Sequence, residues 1–138
     1  GKGPDESFLK ELIVFYGLEK RVFLKGFVNN IRNDIWFKNH ILLMPSYFEG
    51  LPIALVEAML SGRSAVITDV GGNSEIITNG KTGFIAEAVT PYSFDKAMEI
   101  AWEKRDNWQK LGELAYEEAI NYFGNNPVKD LLNKIVQN

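Results

Sequence analysis

Residues 41–60 read ILLMPSYFEGLPIALVEAML, and this stretch decides the fold. The four apolar residues Ile41–Met44 predict a buried strand, which Pro45-Ser46 stops. The run from Pro52 is apolar over a helical length and ends before Ser61-Gly62, so it predicts a helix. A strand, a loop and a helix in this order indicate one unit of an α/β fold.

The same alternation continues outward along the chain. Short apolar runs predict further strands at Ser64–Thr68, at residues 84–86 and, upstream, at residues 22–24. Apolar residues at helical spacing predict helices at residues 8–16, 31–37, 52–60, 74–77, 94–102, 111–123 and 128–136. We therefore expect an α/β fold, a Rossmann-like parallel sheet covered by helices, with ligands at the carboxyl ends of the strands.

Composition excludes several classes of protein. At 138 residues the chain fits one domain over residues 1–138, and 46% hydrophobic with 24% charged residues is ordinary for a globular protein. The net charge of −3 provides no general basic surface for nucleic acid. The chain has no cysteine and a single histidine, His40, which we interpret as structural, so we expect no metal site.

Hydropathy gives no sign of a membrane segment. No apolar run approaches the roughly 18 residues that span a bilayer, and residues 1–10 lack the apolar core of a signal peptide. We therefore expect a cytoplasmic protein without a transmembrane segment.

The start of the helix at Pro52 lacks a cap. Gly50 and Leu51 carry no side-chain oxygen that accepts from the N–H groups of Ile53 and Ala54. A phosphate suits such N–H groups, because the positive end of the helix dipole favours an anion by about 0.3–2 kcal/mol. Water is the alternative partner, and the sequence leaves both open.

Glu57 is the only charged residue between Pro52 and Gly62. Burying a carboxylate without partners is costly, so we expect Glu57 to face a polar pocket or a fixed hydrogen-bond donor. Sugar hydroxyls are such donors, and Glu49, in the loop before the helix, can border the same cleft. A lysine or a backbone amide elsewhere in the fold would satisfy Glu57 equally well.

Two further features have both a structural and a functional interpretation. Gly71-Gly72 follows the strand Ser64–Thr68 and could form a second anion loop, but a glycine pair there is more often a turn, which is the interpretation we favour. Trp102 could stack on a sugar ring, but it falls in an amphipathic stripe, so we expect it in the core.

The spacing of the two acids resembles a known signature. A proline-serine strand end followed by Glu49, seven residues and Glu57 is similar to the signature of family 4 (group 1) glycosyltransferases, which have the GT-B fold. The agreement extends to four further segments: residues 1–4 (GKGP), 22–28 (VFLKGFV), 68–72 (TDVGG) with Glu75, and 79–84 (NGKTGF). It holds in register to about residue 85, with a weaker match through the closing helices. The chain therefore resembles the donor-binding C-terminal domain of such an enzyme.

The resemblance implies the retaining transfer of a hexose-type sugar from a UDP-, GDP- or ADP-sugar to an acceptor hydroxyl, without a metal or other cofactor. It implies that Glu49 is catalytic and contacts hydroxyls of the donor sugar. Glu57 would bind the ribose, and the base would lie against the loop that contains Phe27 and Val28. The backbone N–H groups that would hold the sugar and the diphosphate are those of Gly50, Leu51, Ile53 and Ala54.

The resemblance also implies that parts of the enzyme precede Gly1. These are the first two strands of the domain, an arginine and a lysine that neutralise the diphosphate, and the domain that binds the acceptor, a glycan or a lipid. We therefore expect a domain that is incomplete at its N-terminus and inactive alone. We also expect peripheral attachment to the inner membrane through the acceptor-binding domain.

The two expected upstream strands would lie between the strand at residues 22–24 and the strand Ile41–Met44. Our hypothesis is that these flanking strands pair directly, or that another chain or segment fills the gap, because unpaired buried strand edges are costly. Self-association through the incomplete sheet is one expected result.

Two other functions compete with the transferase. Nucleotide-sugar epimerases and phosphorylases share the GT-B fold, although the pattern of Glu49 and Glu57 after Pro45-Ser46 favours a transferase. The alternative from another class is a non-catalytic binding module, which an upstream region without the arginine and the lysine would favour.

Overall fold

The computed structural model describes residues 3–50 and 52–123. Its strands are β1 (Ile41–Met44), β2 (Ser64–Thr68) and β3 (Gly83–Ala86). Its helices are α1 (Glu6–Phe15), α2 (Ile31–Asp34), α3 (Ile53–Leu60), α4 (Asn73–Ile76), α5 (Pro91–Glu103) and α6 (Trp108–Phe123), with 3₁₀ turns at Trp36–Lys38 and Arg105–Asn107. Within these residues, no helix has the length and hydrophobicity needed to cross a bilayer. The helix predicted at residues 128–136 lies outside the described residues.

The three strands form one parallel sheet in the order β1-β2-β3. Leu43 in β1 lies opposite Val66 in β2, and Val66 lies opposite Phe84 in β3. The connections between neighbouring strands run through α3 and then through α4. The Rossmann-like α/β fold expected from the sequence is therefore confirmed.

The central strand β2 is fully buried, and its side chains alternate between the two faces of the sheet. Ala65 and Ile67 belong to a core on the face covered by α3 and α6, and Val66 belongs to a second core on the face covered by α5. With helices on both faces, the carboxyl edge of the sheet is left to the loops that follow β1 and β2.

The upstream segment at residues 22–24 is not a strand, so that prediction was wrong. These residues have no regular secondary structure, and Val22, Phe23 and Leu24 are 41%, 61% and 41% exposed. A short apolar run forms a stable strand only beside other strands, and no described strand lies next to this one.

The hypothesis that residues 22–24 pair directly with β1 is therefore wrong too. No other segment in residues 3–50 and 52–123 pairs with the outer edge of β1, which is an edge strand of the described sheet. Self-association along this edge stays a prediction.

Trp102 is 61% exposed, which corrects the expectation that it lies in the core. The buried stripe of α5 runs through Phe94, Ala97 and Ala101, and Trp102 is turned by about 100° from Ala101 around the helix. Its ring lies edge-on to that of Trp108, with the centroids 5.9 Å apart. The amphipathic stripe was identified correctly, but Trp102 lies beside it.

Helix α6 passes close to the end of α3 at Gly112. A Cβ atom at Gly112 would clash with the carbonyl oxygen of Gly62, which lies in the turn between α3 and β2. Glycine inside a helix is otherwise less favourable than alanine by roughly 0.5–1 kcal/mol. The close approach therefore explains the glycine and fixes α6 against the start of β2.

We predict that Gly112→Ala lowers the free energy of unfolding by about 1–2 kcal/mol, because overpacking against Gly62 outweighs the gain in helix propensity. Urea unfolding followed by circular dichroism measures this change. Lys110→Ala, at an exposed position of the same helix, is the control and is expected to change stability by less than about 0.5 kcal/mol. A Gly112→Ala protein as stable as the wild type would contradict the close approach.

Candidate functional site

The N-terminus of α3 lies at the carboxyl edge of the sheet and has no side-chain cap. The N-cap residue, Pro52, accepts through its carbonyl from the N–H groups of Leu55 and Val56, at 3.0 and 3.3 Å. Among the described residues, no acceptor lies within hydrogen-bond distance of the N–H groups of Ile53 and Ala54. The sequence expectation of an uncapped helix end is therefore met, and two donors are left for water or a ligand.

Glu49 is held in the loop before this helix by a short relay of hydrogen bonds. The Ser46 hydroxyl donates to Glu49 Oε1 at 2.6 Å, and the Thr68 hydroxyl at the end of β2 donates to the Ser46 carbonyl at 2.6 Å. The carboxylate is thus tied to the ends of two neighbouring strands. Sequence reasoning missed both supporting residues, although a serine three positions before an acid is a local signal for such a bond.

Gly71-Gly72 forms the contact between the loop after β2 and the loop of Glu49. Gly71 has φ +57°, and a Cβ atom there would clash with the Glu49 carbonyl oxygen. The N–H group of Gly72 donates to the Gly50 carbonyl at 3.4 Å. The glycine pair is therefore a structural turn that supports Glu49, in agreement with the interpretation favoured from the sequence.

Glu57 lines a cavity of about 720 Å³ together with Ala54 of the same helix and with Phe27 and Val28. Its side chain is partly buried, and its carboxylate forms no ion pair or hydrogen bond with a residue in 3–50 or 52–123. Within the described residues, therefore, neither a lysine nor a backbone amide is the partner of Glu57. Glu57 is thus a partly buried acid without a described partner in the wall of this cavity.

The wall of this cavity carries more acids than bases. Among the described residues that line it, Asp5, Glu6 and Glu57 are acidic and Lys25 is the one basic residue. A hydrogen bond from Lys10 at 2.7 Å, together with the attraction of its charge, lowers the pKa of the Glu6 carboxyl. Lys10 pairs with Glu6 and does not itself line the cavity, so Lys25 is the cation that the described wall offers to an anion.

Comparison with protein families identifies the family of this chain. The family model described as "Glycosyl transferases group 1" matches residues 1–118, which include both acids and the uncapped helix. The chain belongs to the group 1 glycosyl transferases. The resemblance found from Glu49 and Glu57 is therefore confirmed at the level of the family.

Two bacterial relatives of this group 1 glycosyl transferase chain have names that state an activity. It is 33% identical over 81 residues to the UDP-Gal:alpha-D-GlcNAc-diphosphoundecaprenol alpha-1,3-galactosyltransferase of Escherichia coli, covering 59% of this chain and 21% of that protein. It is 26% identical over 141 residues to the poly(glycerol-phosphate) alpha-glucosyltransferase of Bacillus subtilis, covering 99% of this chain and 21% of that protein. The chain thus spans about a fifth of the length of these relatives.

A solved structure with the same fold is that of Anabaena HepE in complex with UDP. The two share 26% sequence identity with a TM-score of 0.72, and the match covers 96% of this chain and 36% of HepE. The match covers nearly all of this chain, so the parallel sheet and its helices correspond to part of a larger glycosyltransferase fold.

The structure places the family's expected site residues in two groups. Ala54, Glu57, Phe27 and Val28 line one cavity. Glu49, Gly50 and Ile53 do not line it but lie on the same loop and the first turn of α3, at the carboxyl ends of the strands. Leu51, expected to donate through its backbone, lies outside the described residues.

We predict that Gly71→Ala lowers the free energy of unfolding by about 2–4 kcal/mol, from the left-handed backbone and the clash with Glu49. Gly80→Ala is the matched control, since Gly80 has φ +75° and a Cβ atom there would meet only the flexible end of Lys104, at 3.9 Å, so the loss should be only about 1–2 kcal/mol. Urea unfolding of both variants measures the difference. Equal losses would show that Gly71 does not support the Glu49 loop.

Proposed function

We propose that this chain is the donor-binding part of a glycosyltransferase that moves a hexose-type sugar from a nucleoside diphosphate sugar to an acceptor hydroxyl with retention. The observation that carries the proposal is the uncapped start of α3, flanked by Glu49 on the loop and by Glu57 in the cavity. Each part of a nucleotide-sugar has a counterpart in this arrangement.

The diphosphate is assigned to the helix end. The N–H groups of Ile53 and Ala54 lie at the carboxyl edge with no acceptor among the residues that the structure describes, and the helix dipole adds positive potential there. The resemblance to the family adds the N–H groups of Gly50 and Leu51, which precede the helix in the sequence. A phosphate satisfies several such donors at once, which a single water does not.

The nucleoside is assigned to the cavity of Glu57. The ribose hydroxyls donate to the Glu57 carboxylate, and the base lies against Phe27 and Val28. A volume of about 720 Å³ is within the ordinary range for a small-molecule site. Uridine is the favoured nucleoside among the UDP, GDP and ADP alternatives, because one relative is named for UDP-Gal and HepE was solved with UDP.

The donor sugar is assigned to Glu49, with a catalytic role. Its hydrogen bond from Ser46 fixes Oε1, and the other oxygen is left to accept from sugar hydroxyls. Two relatives are named for alpha-galactosyl and alpha-glucosyl transfer, which is the product of retention when the donor is an α-linked nucleotide-sugar. Their names also favour a transferase over an epimerase, a phosphorylase or a non-catalytic module.

The acidic residues of the cavity affect how tightly this chain alone binds a nucleotide. A diphosphate carries negative charge, and among the described residues of the neighbouring nucleoside cavity Asp5, Glu6 and Glu57 outnumber Lys25. We therefore assign the cations that neutralise the diphosphate, and the binding of a glycan or lipid acceptor, to other parts of the full-length protein. The 138 residues are expected to bind nucleotide weakly and not to catalyse transfer.

We predict that Glu57→Ala weakens UDP binding about tenfold or more, because hydrogen bonds to a charged group contribute about 1.5–3 kcal/mol. Isothermal titration of the chain with UDP measures the affinity. The control is Glu103→Ala, which removes the same charge from an exposed position at the end of α5 and should leave the affinity unchanged. Equal affinities for wild type and Glu57→Ala would remove Glu57 from the site.

A second prediction separates the sugar from the nucleotide. Glu49→Gln can still accept from Ser46. It should weaken the binding of UDP-glucose about tenfold and change the affinity for UDP by less than about twofold, because only the sugar hydroxyls donate to the carboxylate that is lost. Titrations with both ligands give the ratio. A variant that loses affinity equally for UDP and UDP-glucose would rule out a role specific to the sugar.

A further inference from the structure

The two most exposed of the five tyrosines line one cavity. Tyr47 and Tyr92 are 80% and 73% exposed, and both border an open cavity of about 570 Å³. They are far apart in the sequence, one in the loop after β1 and the other in the first turn of α5. Two exposed aromatic rings brought to one cavity by different elements indicate a binding surface rather than scattered apolar groups.

This cavity is separate from the one that holds Glu57. It lies at the carboxyl edge of the sheet on the side of α5, where Pro45 follows β1, Thr68 ends β2 and Asp95 belongs to α5. No described residue lines both cavities. Its volume falls within the ordinary range for a small-molecule site. The nucleoside assigned to the cavity of Glu57 therefore leaves this second cavity free.

Hydrogen bonds connect the wall of the second cavity with Glu49. Thr68 lines the cavity, and its hydroxyl donates to the Ser46 carbonyl at 2.6 Å. The Ser46 hydroxyl in turn donates to Glu49 Oε1 at 2.6 Å. A single residue, Ser46, thus separates the cavity wall from the carboxylate to which the donor sugar is assigned. A group bound in the cavity would be a neighbour of that sugar.

The charge of the second cavity is negative. Asp95 is the one charged residue among the described residues that line it. Its carboxylate has no hydrogen bond or ion pair within residues 3–50 and 52–123, because Lys96, the next residue, pairs with Glu99 at 2.7 Å. Asp95 can therefore accept hydrogen bonds from a ligand, and its charge disfavours an anionic one.

These properties select a class of ligand. A phosphate or a carboxylate would be repelled by Asp95, and a purely apolar group would leave the carboxylate and the tyrosine hydroxyls without partners. A neutral sugar ring has C–H groups on its faces, which pack on aromatic rings, and hydroxyls at its edge, which donate to a carboxylate. Tyrosine suits such a ligand because it offers a large rigid surface and a hydroxyl at little cost in conformational entropy.

We propose that the second cavity is a glycan subsite, in which Tyr47 and Tyr92 pack against a neutral sugar ring and Asp95 accepts from its hydroxyls. Sugar binding follows from the cavity itself. The role of that sugar as part of the acceptor rests on the proposed function, because it depends on Glu49 holding the donor sugar next to it.

The first test is a titration of the ¹⁵N-labelled 138-residue chain with three neutral disaccharides, maltose, lactose and mannobiose. We expect the backbone amide signals of Tyr47, Tyr92 and Asp95 to shift with at least one of them, both without UDP and with UDP in excess. No shift at these signals with any of the three, at up to about 50 mM, would overturn the proposal, since a site with a Kd of about 10 mM would then be mostly filled.

Variants identify the residues that hold the sugar. Tyr47→Ala and Tyr92→Ala are each expected to weaken binding of the disaccharide about 3- to 10-fold, and Tyr92→Phe, which keeps the ring, by less than Tyr92→Ala. Asp95→Asn should weaken it about 2- to 5-fold, because hydrogen bonds to a charged group are the stronger ones. Tyr16→Ala is the control, since Tyr16 is exposed and does not line the cavity, and should bind as the wild type does. Unchanged affinity in both Tyr47→Ala and Tyr92→Ala would contradict the subsite.

The outcomes separate this inference from the proposed function. If UDP binding depends on Glu57 but no disaccharide shifts the signals of the second cavity, the glycan subsite is overturned and the donor site stands. If UDP displaces the disaccharide, the two share one site and the separate subsite is overturned. If a disaccharide binds in the cavity but UDP does not bind, the sugar site stands and the proposed function fails, together with the acceptor role.

Discussion

The start of α3 is the constraint on which the rest of the site depends. Gly50, Leu51 and Pro52 precede the helix without a side-chain oxygen that caps it, and within the described residues nothing else accepts from Ile53 and Ala54. The helix end therefore carries unsatisfied donors and positive potential at the edge of the sheet where ligands bind in this class of fold. An anion complements both the free N–H groups and the positive potential.

The parallel sheet turns that helix end into a site of fixed geometry. Neighbouring parallel strands end at one edge, so the loops after β1 and β2 meet there. The contact of Gly71 with Glu49, and the relay from Thr68 through Ser46 to Glu49, hold the acid before any ligand arrives. Glu57 lies within the helix to which the proposed function assigns the anion, so in that proposal a single rigid element relates the phosphate and nucleoside positions.

The part of the fold that depends on local pattern could be predicted from the sequence. β1 and β2 begin and end where the apolar runs do, and α3 begins one residue after the predicted start at Pro52. The strand at residues 22–24 could not be excluded from its sequence, because whether an apolar triplet forms a strand is decided by its neighbours. Trp102 shows the same limit for helices, since a shift of one residue moves a side chain off the buried stripe.

For the site, the spacing of Glu49 and Glu57 was readable from the sequence. The support from Thr68 was not, because it depends on a contact between segments 22 residues apart.

A crystal structure of the chain with UDP tests the central claim most directly. The account predicts phosphate oxygens within about 3.2 Å of the backbone nitrogens of Ile53 and Ala54, with the ribose turned toward Glu57. A nucleotide bound elsewhere, with the start of α3 covered by a side chain of the protein itself, would contradict it.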